Sequence, residues 1–207
     1  MKLALALLIT LGLTACSSPD IRYYTLQDIA PLNGEATVVP VGFQFEMLNV
    51  RVPAQIDIPQ LVVRQNQTGL MIFDSDRWSA PLADEFQVAI AHRLERRLGT
   101  SNLAGLPKEK QRPILSVQIG VQRFDSLPGQ YVLVDAVWSL RLRGKGGQPA
   151  RTLTCNSRLI QPAGPELNNL VLAHQKVLDQ LADVIAKKAG DWAGGNTLSD
   201  STQRSCS

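Results

Sequence analysis

Histidine and cysteine are too scarce in this chain to support most kinds of site chemistry. The 207 residues hold two histidines, His92 and His174, and three cysteines, Cys16, Cys155 and Cys206. None of them cluster at the spacing of a zinc site, so no metal and no cofactor are expected. No serine lies in a Gly-x-Ser-x-Gly turn, and no nucleophile–base pair is legible, so no catalytic residue is assigned. The glycines from Gly144 to Gly147 lack a following helix and a Lys-Ser/Thr pair, which excludes a phosphate-cradling loop. Basic runs are missing as well, and nothing points to nucleic acid. No linker or internal repeat divides the chain.

What the chain does have begins at its first residue. Met1-Lys2 precedes an apolar stretch from Leu3 to Leu13, and Leu13-Thr14-Ala15-Cys16 follows. The stretch is shorter than the roughly 20 residues that span a bilayer as a helix, so residues 1–15 read as a signal peptide. Leu-Thr-Ala-Cys resembles the lipobox of bacterial lipoproteins, which makes Cys16 the expected lipidation site and residues 16–22 a lipidated tether. Each buried CH2 contributes about 0.8 kcal/mol, so two or more acyl chains hold a soluble body firmly at a membrane. Ser17 and Ser18 follow Cys16, and the first aspartate is Asp20; this order points to the inner leaflet of the outer membrane, with the body on the periplasmic side. The six residues from Ser17 to Arg22 reach at most about 20 Å, which keeps the body close to its membrane.

Without residues 1–15 the chain has 192 residues and a net charge of +2, enough for one domain with a proper core, expected over residues 23–190. The periplasm is oxidising, and Cys155 with Cys206 forms an even pair. A disulfide between them closes a loop of about 50 residues; the alternative is one buried small side chain and one tail thiol. Residues 191–207, rich in Gly, Ser, Thr and Asn, read as a flexible tail.

Periodicity predicts an α/β (α+β) fold: a mixed, largely antiparallel sheet with two main helices packed on one face. Tyr23 to Leu26 is a short strand, and Val38 to Val52 a longer one bent at Asn49. Leu61 to Arg64 and Leu70 to Phe73 form a hairpin around Asn66 to Gly69. A helix follows Ser79, with the stripe Leu82, Phe86, Ala89, Ile90, Leu94 and Leu98, with Arg93, Arg96 and Arg97 in its last turn and Gly99 ending it. Strands around Leu115 to Val121, Tyr131 to Arg143 and Ala150 to Ile160 form an antiparallel meander, and a last helix runs from about Glu166 to Ala189.

Among single residues, His92 reads as a surface histidine and His174, on an apolar face, as a core or interface histidine hydrogen-bonded through one nitrogen. Asp74 and Asp76 read as turn and cap residues before the helix. Asp135 is expected to pair with Arg123 or Arg151, or to face a partner. The amphipathic aromatics Tyr23, Tyr24, Trp78 and Tyr131 are interface candidates, against ordinary core roles. Arg141, Arg143 and Arg158 form a candidate basic strip for an acidic partner or lipid headgroups, against a plain solvated face.

The lipobox, Tyr23-Tyr24-Thr25-Leu26, Val50-x-Val52-Pro53, Ile58-Pro59-Gln60-Leu61-Val62-Val63-Arg64 and Arg77-Trp78-Ser79-Ala80-Pro81-Leu82 together resemble the ABC-type transport auxiliary lipoproteins. The resemblance implies a non-enzymatic subunit of an intermembrane lipid transport system. Its partners would be a periplasm-spanning MCE-domain protein (PqiB-like) and an inner-membrane component (PqiA-like), and a cyclic homo-oligomer would suit a tubular partner. The rival reading is a stand-alone periplasmic lipid-binding chaperone with an internal apolar cavity.

Overall fold

The computed structural model describes residues 20–28, 40–144, 148–194 and Cys206. The signal peptide and Cys16 lie outside the described residues, as do Val38, Val39 and most of the tail. In chain order the elements are β1 (Arg22–Tyr24), β2 (Gln44–Met47), β3 (Gln60–Arg64), β4 (Leu70–Trp78), α1 (Leu82–Leu98), β5 (Ile114–Leu127), β6 (Tyr131–Arg143), β7 (Arg151–Pro162) and α2 (Leu167–Ala193).

Two helices and mostly antiparallel strands give the α+β class that periodicity predicts, but the strands divide into two sheets. The larger has the order β2-β5-β6-β7 and contains the expected antiparallel meander, with β2 parallel to β5. The smaller has the order β1-β4-β3, with β1 parallel and β3 antiparallel to β4. Proline explains the division. Pro53 and Pro59 stand between β2 and β3, and a residue without an N–H cannot carry a ladder onward. β2 pairs with β5 from Gln44 to Met47, with one later bridge from Arg51 to Gly120 just before the first of these prolines. Leu48 and Asn49 stand exposed in the bend between them, where the sequence pattern breaks.

Beyond Gly120 the small sheet packs against β5. Trp78 meets Phe124 edge-on with ring centroids 6.1 Å apart, and Arg64 Nε lies 2.9 Å from Asp125 Oδ1. The core is continuous: Leu115, Val117 and Ile119 of β5 and Val132, Val134, Ala136, Trp138 and Leu140 of β6 are buried with the apolar stripes of both helices. α1 runs alongside α2, with Arg93 facing Asp179 and Arg97 facing Asp183. Gly99, at φ 60°, closes α1 in the left-handed region that glycine adopts without penalty.

Two boundaries differ from expectation. β4 runs nine residues to Trp78, so Asp74 and Asp76 sit on a strand rather than in a turn. On the β3 side residues 74–76 fall in a register shift, and it is pairing with β1 that holds Asp76 extended against the turn preference of aspartate. α2 continues past Gly190 to Ala193, so the tail starts later than position 191. An interior helical glycine costs about 1 kcal/mol, and Trp192 offsets it by packing on the core with the Arg151 guanidinium 5.0 Å above its ring.

Cys155 and Cys206 are joined in a disulfide, and Cys206 pairs antiparallel to β7 at that point. The sequence separation is 51 residues. A loop of that size removes about 4 kcal/mol of unfolded-state entropy in the chain model. Cys206→Ser is expected to lower unfolding stability by about 2–4 kcal/mol, read as a drop in urea midpoint; an unchanged midpoint in oxidised protein would show that the bond contributes nothing.

Candidate functional site

The polar interactions of the fold concentrate on the chain just after the tether. β1 pairs with β4 so that Arg22 faces Asp76, Tyr23 faces Arg77 and Tyr24 faces Trp78. Asp76 is 3 % exposed, and three donors satisfy it. Arg22 binds it in a fork, Nη2 to Oδ2 at 3.0 Å and Nε to Oδ1 at 2.8 Å, and the Tyr24 hydroxyl donates to Oδ1 at 3.0 Å. Burial, then the bond to Asp76, pushes the Tyr24 hydroxyl pKa up, so it stays a donor.

Past β1 the chain enters a second polar clasp. Thr25 Oγ1 and the Leu26 N–H both donate to Glu85 Oε2, at 2.8 and 2.9 Å, while the Ser79 hydroxyl donates to Oε1. The Leu26 side chain is fully buried. Its carbonyl accepts from Arg93 Nη1 at 3.1 Å, and the same guanidinium donates to the Ala89 carbonyl and to Asp179 Oδ1, each at 3.0 Å. Gln175 Nε2 donates to the carbonyls of Thr25 and Gln27, and Asp28 pairs with Arg96 at 2.7 Å. Residues 22–28 are thus strapped to β4, α1 and α2. Only Arg96 and Arg97 stand in the last turn of α1; Arg93, read from the sequence with them as a last-turn cation, is fully buried. Its position four after Ala89 and three after Ile90 places it on the apolar stripe, which is the signal that marks it out.

The interface candidates scatter. Tyr23 is 64 % exposed. Tyr24 is committed to Asp76, and Trp78 is buried against Phe124, so neither offers a free face. Tyr131 is half-buried in an open cleft of about 620 Å³ with Arg64, Gln65, Asn66, Gln67, Arg123 and Gln130. The basic strip is not continuous. Arg143 is drawn to Glu46 at 3.1 Å, a carboxylate that also holds Lys108 at 2.9 Å and Ser116 at 2.5 Å. Arg141 is exposed opposite Ser116 and Thr152, while Arg158 lies well along β7, opposite Asp135. Asp135 stands in register with Arg123 and Arg158 across the ladder, but the Arg123 guanidinium is engaged by Asp125 and Arg151 lies over Trp192. Arg123 itself bonds Asp125, Nε to Oδ2 at 3.0 Å.

Two features escaped the sequence. The start of β4 exposes Leu70, Met71 and Ile72 at 47, 37 and 54 %. Their run without alternation was the available signal, since a half-buried strand alternates. The other is a serine–histidine pair: Ser126 Oγ lies 2.8 Å from His174 Nε2. Both are buried, Ser126 at 5 % and His174 at 1 % exposure, and the imidazole stacks on Phe124 at 3.8 Å. The pair is closed to solvent and works as a core contact between β5 and α2, with the imidazole Nδ1 left without a hydrogen-bond partner among the described residues. Burial pushes the His174 pKa down to about 3.

These observations define a body with much of its polar clasping on the incoming N-terminal segment and the Ser126–His174 pair sealed inside. The chain belongs to the family described as the ABC-type transport auxiliary lipoprotein component, which matches residues 24–186. It is similar in fold to a solved uncharacterized protein at 16% identity, covering 82% of this chain and 99% of that one, with a TM-score of 0.63. A protein from Xanthomonas campestris is similar at 14% identity, covering 85% of this chain and 94% of that one, with a TM-score of 0.56. No curated protein matches the chain.

His174 makes the stability depend on pH in a definite direction. Its ordinary value is 6.5, so on acidification the unfolded chain binds the proton first. The contribution is complete above about pH 6.5 and is lost toward about pH 3, by up to about 1.4 kcal/mol per pH unit. Between about pH 7 and 5 the urea midpoint of the native chain is expected to fall more steeply than that of His174→Gln; parallel slopes would show that this histidine is not the source.

Proposed function

We propose that this chain is a lipoprotein anchored through Cys16 in the inner leaflet of the outer membrane. Its body faces the periplasm and docks the outer end of an MCE-domain protein of an intermembrane lipid transport system, PqiB-like with a PqiA-like inner-membrane component. In that role it supports envelope integrity, performs no covalent chemistry, needs no cofactor and acts as a homo-oligomer around a tubular partner. Membership of a transport auxiliary lipoprotein family supports the transporter partnership. The observation that carries the reading is the strap on residues 22–28, which begins six residues after Cys16. A body clasped so soon after its anchor is held within about 20 Å of the membrane, which suits a fixed docking station for a partner that crosses the periplasm.

The chaperone alternative calls for a large apolar hollow. The apolar notch lined by Val41, Phe43, Pro113, Leu142 and Ala193 has about 240 Å³ and adjoins a hollow of about 700 Å³ that also reaches Pro149 and Arg151; both lie open at the surface rather than enclosed in the core. This favours the subunit reading. Photo-crosslinking in intact cells from exposed positions of the body, with adducts identified by mass spectrometry, tests it. The expected adduct is an MCE-domain protein. Efficient crosslinking that never yields one, together with stoichiometric phospholipid in the purified protein, would replace the docking role with the chaperone.

A further inference from the structure

We infer that the tip of the β3–β4 hairpin is a second membrane contact, dipping Leu70, Met71 and Ile72 into the headgroup region of the bilayer that holds the lipid anchor. The inference rests on the reading of Cys16 as the acylated residue and goes beyond it. Strand direction carries it. Because β1 is parallel to β4, with Arg22 opposite Asp76, the chain preceding Arg22 arrives from the side of the start of β4. That start, here the tip, lies at the turn end of the hairpin, next to the polar turn of residues 65–69. Cys16 lies six residues before Arg22, and Leu70 lies six residues before Asp76. At about 3.3 Å per residue, six residues span at most some 20 Å, so an anchor at Cys16 is within reach of the level of Leu70.

The tip has the composition that such a contact needs. Leu70, Met71 and Ile72 are consecutive and exposed, with Leu70 and Ile72 close to half or more open. Beside the turn of the hairpin, Arg64 and Arg123 line the cleft that contains Tyr131. These two guanidiniums share the single carboxylate of Asp125, which leaves the group one positive charge in excess. Apolar side chains flanked by arginine and tyrosine match the layered chemistry of a lipid surface, where apolar groups enter the acyl boundary and cationic and phenolic ones meet phosphates. A shared anchor and tip also fix how the body stands on the membrane, because two contacts restrict tilt where a single flexible tether does not.

The test uses the mature acylated chain in phospholipid vesicles. With Cys155 bonded to Cys206 and Cys16 acylated, a cysteine introduced at Ile72→Cys is the thiol available to an environment-sensitive fluorophore. Leu106→Cys is the reference: it is 55 % exposed and lies in the segment before β5, whereas the Tyr131 cleft lies at the end of β5. Vesicle binding is expected to shift the emission of the label at position 72 to the blue. Lipids with nitroxides at shallow acyl positions should quench it, consistent with a depth of about 5–10 Å, while the label at 106 stays unchanged. Flotation with vesicles but no lipid quenching at position 72 would overturn the hairpin contact and leave the anchor standing; shielding from aqueous quencher without lipid quenching would assign the tip to a second protein copy instead. Failure to float at all would overturn the anchor reading, and with it this inference.

Discussion

The Arg93 guanidinium is the interaction on which the arrangement of this protein turns. It is fully buried, and it joins three separate stretches of chain: the Leu26 carbonyl just after β1, the Ala89 carbonyl of its own helix, and Asp179 with the Gln175 carbonyl on α2. A buried charge is costly unless its donors are satisfied, and here protein acceptors surround it. Hydrogen bonds that involve a charged group contribute about 1.5–3 kcal/mol each where water is excluded, and the partly exposed Asp179 belongs at the weak end of that range. The consequence is geometric as much as energetic. The segment after β1 cannot detach without taking the Leu26 carbonyl away from this buried cation, which would keep its acceptors on α1 and α2 alone.

Glu85 repeats this logic with the opposite sign. It gathers Thr25, the Leu26 amide and Ser79 from one helical position, so one carboxylate and one guanidinium, two turns apart on α1, grip the amide and the carbonyl of the same residue. Asp76 adds a third grip on β1 through Arg22 and Tyr24. These polar contacts position β1 and the residues after it, while Ser126 with His174 joins β5 to α2 and Ser116 with Glu46 joins β5 to β2. This division makes the N-terminal strand rigid with the rest of the body, which is what the proposed docking role requires.

The sequence showed most of the fold because the long elements carry strong periodic patterns. The stripe from Leu82 to Leu98, the alternation from Leu115 to Val121 and the even-numbered face of β6 all reappear as the core. The cysteine pairing was likewise legible from parity and compartment. What was hidden is long-range and polar. Whether Pro53 and Pro59 merely interrupt a sheet or separate two cannot be read from local composition, since it depends on which edge β3 finds. Asp76 looks like a turn residue until Arg22, 54 positions away, arrives beside it. Trp78 and Tyr131 are alike as amphipathic aromatics, and only tertiary packing sends one into the core and leaves the other lining a cleft. The basic strip failed for a similar reason: Glu46, distant in sequence, claims Arg143.

The central physical claim is that the first strand and the residues after it form part of the rigid body rather than an extension of the tether. Amide hydrogen exchange in the full chain tests this most directly, because the Leu26 N–H donates to a buried carboxylate and not to a sheet ladder. The account predicts protection at Leu26 comparable to that of the central strands β5 and β6, opening only with the global fold. Exchange at Leu26 at the rate of an unstructured segment, while β5 and β6 remain protected, would contradict it.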